Sequence, residues 1–274
     1  MTERIPKANF HTHTTYCDGK ETAESMVQAA LEKGFSALGF SGHSYTAYDE
    51  SYCMSREDVQ KYIADVYALR EKYAGQIEIF CGIEQDFGSN EPTNVFDYVI
   101  GSVHAVERDG LYYSVDESPE VFARGVREGF GGDVYAYVKA FYELESQVVG
   151  KTNADFIGHF DLVTKFNEGN RFFDPEDRRY RDASLSALEA LLETEKPFEI
   201  NTGAIYRGMR KMPYPSVSLL KEIYRRKGEI LFSSDSHDGA SLGFGFDEAA
   251  GLAREIGFRC VKVWTKNGFV DFPL

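Results

Sequence analysis

Two histidines one residue apart, His11 and His13, open the chemistry of this sequence. Side chains alternate faces along an extended segment, so Phe10-His11-Thr12-His13 turns both imidazoles the same way. Neutral imidazole is a common ligand for transition metals, and two imidazoles a strand-step apart can share one ion. A His pair alone is equally at home in an ordinary strand. All six histidines, however, fall at the ends of predicted strands: His11, His13, His43, His104, His159 and His237. Glu84 and Asp235 occupy equivalent places, and Asp18 follows the first pair in the turn Thr15-Tyr16-Cys17-Asp18-Gly19. A solitary strand-end histidine usually does no more than satisfy a hydrogen bond. Six of them grouped with carboxylates point instead to a metal site.

These residues make nine candidate ligands, too many for one ion, since zinc-like ions take about four. Two to three divalent ions, Zn, Mn or Fe, are therefore expected. Glu84 is the best bridge between them, because its strand lies between the two groups of histidines. Paired ions suit hydrolysis: they lower the pKa of a bridging water and clamp the oxygens of a displacement at phosphorus.

The elements that must position these residues read as alternating strands and helices. Thr22 caps a helix over 24–32, Gly34 ends it, and a buried strand over 35–41 delivers His43. Ser55 caps a helix running towards Tyr73. One strand over 77–83 ends at Glu84, and another over 97–103 ends at His104. A long insertion rich in Tyr, Asp and Glu follows, with a helix over 134–149. Strand 154–158 leads to His159, and helix 184–193 leads to strand 197–202. Helix 216–226 precedes strand 229–234, which delivers Asp235 and His237. Helix 248–255 and a last strand over 260–264 complete the pattern. Such alternation implies parallel pairing through right-handed crossovers. Seven strands precede the last, with no repeat or linker, so one domain over 1–274 is expected. A barrel would collect its functional residues at the carboxyl ends of the strands, whereas an open sheet would spread them along a crevice.

The net charge of −14 argues against a general nucleic-acid surface. It leaves room for a small anionic substrate, because bound cations invert the local sign. Cys17, Cys53, Cys81 and Cys260 form no paired motif, which fits packing or surface thiols in a reducing cytoplasm. Met1-Thr2-Glu3-Arg4-Ile5-Pro6 lacks the apolar run of a secretion signal. No segment is long and apolar enough for a membrane span. Nothing in the pattern fixes an oligomeric state.

The motifs His11-Thr-His13 with Asp18-Gly19, Gly42-His43, Gly82-Ile83-Glu84, Gly101-Ser-Val-His104, Gly158-His159-Phe-Asp161 and Ser234-Asp235-Ser-His237 resemble those of the PHP (polymerase and histidinol phosphatase) family. Gly82-Ile-Glu-Gln-Asp86, Asp97-Tyr-Val-Ile-Gly-Ser-Val-His104 and Gly158-His-Phe-Asp-Leu-Val-Thr-Lys-Phe-Asn167 are similar to its histidinol-phosphatase branch. The resemblance covers residues 8 to 240. It implies an α/β fold, a distorted (β/α)7 TIM-like barrel with the metal site at the C-terminal ends of the strands.

Carried over residue by residue, it implies one ion on His11, His13, Glu84 and Asp235. A second would take Glu84, His104 and His159, and a third Asp18, His43 and His237. Asp18 stands where many members have His; its harder oxygen implies a weaker or different third ion. Gly42 stands where relatives often carry Asp or Ser. The implied reaction is hydrolysis of L-histidinol phosphate to L-histidinol and phosphate, a step of histidine biosynthesis, by a hydroxide bridging the ions.

Substrate phosphate also needs cations from the protein. Arg207 follows the sixth strand, and its fork geometry suits phosphate oxygens; the alternative is a solvated surface arginine. Lys165 is a weaker candidate and reads as a surface residue. Asp161 could orient His159, protonate the leaving alkoxide, or cap a turn. Tyr135, Tyr137 and Tyr142 have helical spacing and read as packing. Asp86, Glu107 and Asp116 are candidates to meet the substrate ammonium. Other readings are a PHP phosphoesterase acting on phosphotyrosine or small nucleotides, a metal-dependent amidohydrolase, and a non-catalytic metal-binding protein. Glu84 in place of a bridging lysine speaks against the amidohydrolase, and the full ligand set against the last.

Overall fold

The structure is a computed structural model that describes residues 5–274; the reading of Met1–Arg4 lies outside them. The first element is a short strand, β1 (Ala8–Asn9), after which the chain runs extended through both histidines. Helix α1 (Ala23–Glu32) starts at Thr22, whose hydroxyl accepts from the Ser25 backbone N–H. Its buried stripe is Ala23, Met26, Val27 and Ala30. Strand β2 (Ala37–Phe40) follows, then α2 (Arg56–Lys72), capped in the same way by Ser55 onto Asp58.

The strand expected over 77–83 is two strands, β3 (Glu78–Cys81) and β4 (Ile83–Asp86), interrupted at Gly82. A Cβ at Gly82 would lie 2.3 Å from the Tyr98 ring. That ring is buried there because its hydroxyl donates to the carbonyls of Phe10 (2.7 Å) and Phe40 (2.9 Å). The bare backbone at Gly82 lets the chain pass the ring and change sheets. Thus β3 pairs with β2, while β4 pairs with β5 (Val99–Ser102).

The insertion holds more order than the sequence pattern suggested. Hairpin β6 (Ala105–Arg108) and β7 (Leu111–Ser114) turns at Asp109-Gly110, both with positive φ (54° and 81°), as a tight hairpin turn requires. Then come α3 (Pro119–Gly129), α4 (Val134–Glu145) and α5 (Val148–Thr152), so the helix expected over 134–149 is broken near Ser146. Tyr137 and Tyr142 are buried packing residues. At the end of α4, Glu145 is fully buried with neither carboxyl oxygen hydrogen-bonded.

Next are β8 (Phe156–Ile157), α6 (Arg178–Leu192), β9 (Phe198–Asn201), a single turn α7 (Gly203–Tyr206), α8 (Val217–Arg225), β10 (Ile230–Ser233) and α9 (Phe246–Ile256). Helix α6 starts six residues earlier than expected because Asp177 caps it onto Arg179. Strands β1-β2-β3 form one parallel sheet and β10-β9-β8-β5-β4 a second. Beyond β1, Thr12 bridges Ser236, and beyond β2, His43 bridges Glu84, so the two sheets are joined at these points into a distorted barrel.

The strand expected to be last, β11 (Cys260–Thr265), is followed by one more, β12 (Gly268–Pro273), with which it pairs antiparallel. Trp264 and Phe269 of this hairpin pack on a cluster containing Ala8, Ala37, Tyr98 and Phe156. Ala8, Ala37 and Phe156 begin their strands, so the hairpin covers the amino end of the barrel. Among the described residues no helix is long and apolar enough to cross a membrane.

Candidate metal centre

The carboxyl ends of the strands converge. His11 and His13 follow β1, His43 follows β2, His104 follows β5, His159 follows β8, and Asp235 and His237 follow β10. Glu84 stands among them, fully buried in β4. Its Oε2 lies 3.2 Å from His11 Nε2, 3.5 Å from His13 Nε2 and 3.0 Å from His43 Nδ1. Its Oε1 lies 2.9 Å from His159 Nε2 and 3.4 Å from His104 Nε2, and accepts from Ser102 Oγ at 2.7 Å. Asp235 Oδ1 is 3.7 Å from His11 Nε2 and 3.3 Å from His13 Nε2. Asp18 reaches His237 Nε2 at 3.1 Å and His43 Nε2 at 3.6 Å. Asp235 holds φ at 43°, a left-handed conformation costly for a residue with a side chain.

All nine candidate ligands fall into four overlapping groups whose ligand atoms lie within 4.8 Å of one another. These are His13-Asp18-His43-His237, His11-Glu84-His159, His11-His13-Asp235 and His43-Glu84-His104. Several of these atoms are buried without a hydrogen bond: His11 Nε2, His13 Nε2, His43 Nδ1 and Glu84 Oε2. Buried polar atoms are seldom left so. Inward-facing nitrogen and oxygen donors are the set that borderline divalent ions take, so the residues fit such ions.

Carboxylates behind two of the histidines fix their ring orientation. His104 donates from Nδ1 to Asp86 Oδ2 at 2.9 Å, and its backbone N–H reaches the same oxygen at 3.2 Å. His11 donates from Nδ1 to Glu199 Oε2 at 2.9 Å. Both rings therefore present Nε2 to Glu84. Glu199 was not among the sequence candidates. Its signal was a carboxylate inside the apolar strand Phe198-Glu199-Ile200, on the same face as Asn201.

The charges suit cations. Burial alone would raise the Glu84 carboxyl, but His11, His43 and His104 hold it well below the usual range. Asp235 is likewise held down against burial, by Arg207 and then His11. His11 is raised despite burial, by Glu199, Glu84 and Asp235. His13 is pushed down to about 3 by burial, with His237 and His43 beside it.

A cavity of about 200 Å³ opens over these ligands, lined also by Arg207, Lys165 and Asp116. Arg207 Nη2 pairs with Asp235 Oδ2 at 2.9 Å and Nη1 with the Asp235 carbonyl at 3.0 Å. Lys165, read as a surface residue, is instead mostly buried in the cavity wall, 3.1 Å from Asp116 Oδ2. Asp161 does not line the cavity: its Oδ2 accepts from the Ser216 backbone N–H at 2.9 Å, tying it to the start of α8. Of the three acids expected near the substrate ammonium, Asp86 is committed to His104 and Glu107 is exposed on the hairpin. Asp116 alone of them lines the cavity.

An adjoining space of about 230 Å³ is walled by Tyr48, Asp49, Tyr52, Asp116 and Glu117. Tyr52 stands edge-on to His43 at 4.9 Å, and Tyr48 stacks on Tyr112 of β7 at 4.5 Å. Sequence reading missed this wall, because loop 45–54 has no periodicity to place it. All four cysteines are free, and Cys17 Sγ lies 3.5 Å from His13 Nδ1.

An α/β barrel that gathers imidazoles and carboxylates at its strand ends is a metal-binding scaffold. The PHP domain family model matches residues 9–203, and the chain belongs to that family. Among its relatives, a probable histidinol-phosphatase of Deinococcus radiodurans is 30% identical over 262 residues, 92% of this chain and 94% of that protein. The histidinol-phosphatase of Bacillus subtilis is 24% identical over 89% of this chain and 98% of its own length. A solved histidinol phosphate phosphatase of Lactococcus lactis, complexed with zinc, L-histidinol and phosphate, superposes with a TM-score of 0.72. At 20% identity it covers 97% of this chain and 100% of its own, and shares the distorted barrel fold.

Proposed function

We propose that this chain is a metal-dependent phosphomonoesterase that hydrolyses L-histidinol phosphate to L-histidinol and phosphate. The observation that carries the reading is Glu84, whose two carboxylate oxygens face two different groups of histidines. The names of the relatives and the ligands of the Lactococcus protein support the substrate.

One ion would sit on His11, His13, Glu84 and Asp235, a second on Glu84, His104 and His159, and a third on Asp18, His43 and His237. Two to three ions of Zn, Mn or Fe are expected. When bound, divalent ions would supply Lewis acidity at the phosphoryl oxygens and a water acidic enough to attack phosphorus. The chain does the rest. Arg207, fixed by Asp235, offers its remaining N–H groups to phosphate oxygens. Lys165 adds a second positive charge at the same cavity. The imidazole end lies against the wall that Tyr48 and Tyr52 form through their hydroxyl–hydroxyl hydrogen bond (2.8 Å), and Asp116 meets the ammonium. Asp161, bound to Ser216, anchors the loop ahead of α8, and the leaving alkoxide takes its proton from solvent in the cavity.

A phosphate-release screen of metal-loaded protein against a phosphomonoester panel tests this. Histidinol phosphate should give the highest kcat/KM. Faster hydrolysis of phosphotyrosine or a nucleotide would overturn the substrate and leave the metal chemistry standing.

A further inference from the structure

Glu199 has no exposed surface, and four donors converge on its carboxylate. His11 Nδ1 (2.9 Å) and Ser233 Oγ (2.6 Å) donate to Oε2. The His159 backbone N–H (2.6 Å) and Asn201 Nδ2 (2.9 Å) donate to Oε1. Asn201 Nδ2 also reaches Asp235 Oδ2 at 3.4 Å. A carboxylate accepts about four hydrogen bonds, so this one is filled. Through them it touches the ends of three strands, β1, β8 and β10, each of which delivers a candidate ligand.

We propose that Glu199 is a positioning residue that fixes the His11 tautomer and sets the spacing between His11 and His159, so that one carboxylate builds two neighbouring ion sites. The proposal rests on the metal-dependent reading above. His11 and His159 approach opposite oxygens of Glu84. Their separation therefore decides whether Glu84 can serve both sites at once. Loss of the anchor on His11 also frees the ring to place its proton on Nε2, the nitrogen that must stay bare for an ion. A glutamine at this position has one accepting oxygen and an NH2 that would face two donors. Two of the four bonds are lost while the volume is kept.

The test compares wild type with Glu199→Gln after loading with zinc, by titrating a competing chelator and counting retained ions. A carboxylate behind a ligand histidine is worth roughly 10–100-fold in metal affinity. The expected result is a loss of that size, with phosphate release partly restored by excess metal. A merely structural role would instead lower the melting temperature of the metal-stripped variant and leave the chelator curve within about twofold of wild type; that outcome overturns the proposal. Should Glu199→Gln fail to fold, Glu199→Asp keeps the charge with a shorter reach. It should show an intermediate loss, and an unchanged chelator curve would again overturn the proposal. An error in the substrate would appear in the wild-type panel and would not move the chelator curves.

Discussion

Four candidate ligands, His11, His104, Glu84 and Asp235, owe their direction to a neighbour that the local sequence does not name. Glu84 is the sharpest case: five histidines surround one carboxylate, and Ser102 holds it. Glu84→Gln keeps the shape and removes the charge that would bridge the proposed ions. It should abolish phosphate release while circular dichroism stays native, because the side chain faces the site and not the apolar core. Near-wild-type turnover at saturating metal would refute its bridging role. Arg207 was legible from its place after the sixth strand, but its tie to Asp235 was not. Arg207→Ala should lower kcat/KM for all phosphomonoesters alike, by roughly ten- to a hundredfold, since a charge-assisted hydrogen bond is worth about 1.5–3 kcal/mol. A loss confined to histidinol phosphate would show that the guanidinium reads the leaving group instead. Lys165 and Asp161 exchanged places between sequence and structure. A lone lysine and a lone aspartate carry no periodic signal of which way they point, and only the packed loops decide it.

Helix α4 carries a group that works against the fold. Glu145 is buried without a partner, and burial raises its carboxyl well above the usual range. Of the charges that reach it, His104 opposes this, while Asp161, Asp86 and Glu199 reinforce it. An acid raised on folding binds its proton more tightly in the folded state. Stability is therefore intact below the unfolded carboxyl's pKa, and is lost as pH rises until the folded carboxyl itself ionises. The loss runs at up to about 1.4 kcal/mol per pH unit. Glu145→Gln should match wild type near pH 4.5 and exceed it in melting temperature by a margin that widens towards pH 8. A margin that stays flat with pH would refute this. The strands and helices that carry the ligands were legible because alternation and caps are local. The break at Gly82 was not, since it depends on Tyr98 arriving from sixteen residues away. The hairpin at Asp109-Gly110 had a local turn signal, drowned by the polar residues around it.

At the scale of the whole molecule the candidate ligands differ in exposure. The Glu84 side chain is 0% exposed and that of Asp18 is 33% exposed. Elemental analysis of freshly purified protein should find two to three ions per chain. During graded chelation the ion nearest Asp18 should leave first, with a carboxylate oxygen and an open face on its side. Simultaneous loss of all ions would contradict this order, and one ion or fewer after reconstitution with Zn, Mn and Fe would end the three-site reading.

The change of sheets at Gly82 has a mechanical side. His11, His13 and His43 hang from the three-stranded sheet, and Glu84, His104, His159, Asp235 and His237 from the five-stranded one. Between the sheets the main-chain bonds run in short stretches beyond β1 and β2, among them His13 N–H to the Ser236 carbonyl (2.8 Å) and Ser44 N–H to that of Glu84 (2.9 Å). Ions bound there would act as rivets across a seam that the backbone only bastes. A ligand at a thousandfold its Kd adds about 4 kcal/mol to folding. Stripping the ions should therefore lower the melting temperature. It should also speed hydrogen exchange at His13, Ser44 and Ser236 before the amides inside β2 or β9 respond, so that the catalytic cargo doubles as the stitching of the barrel.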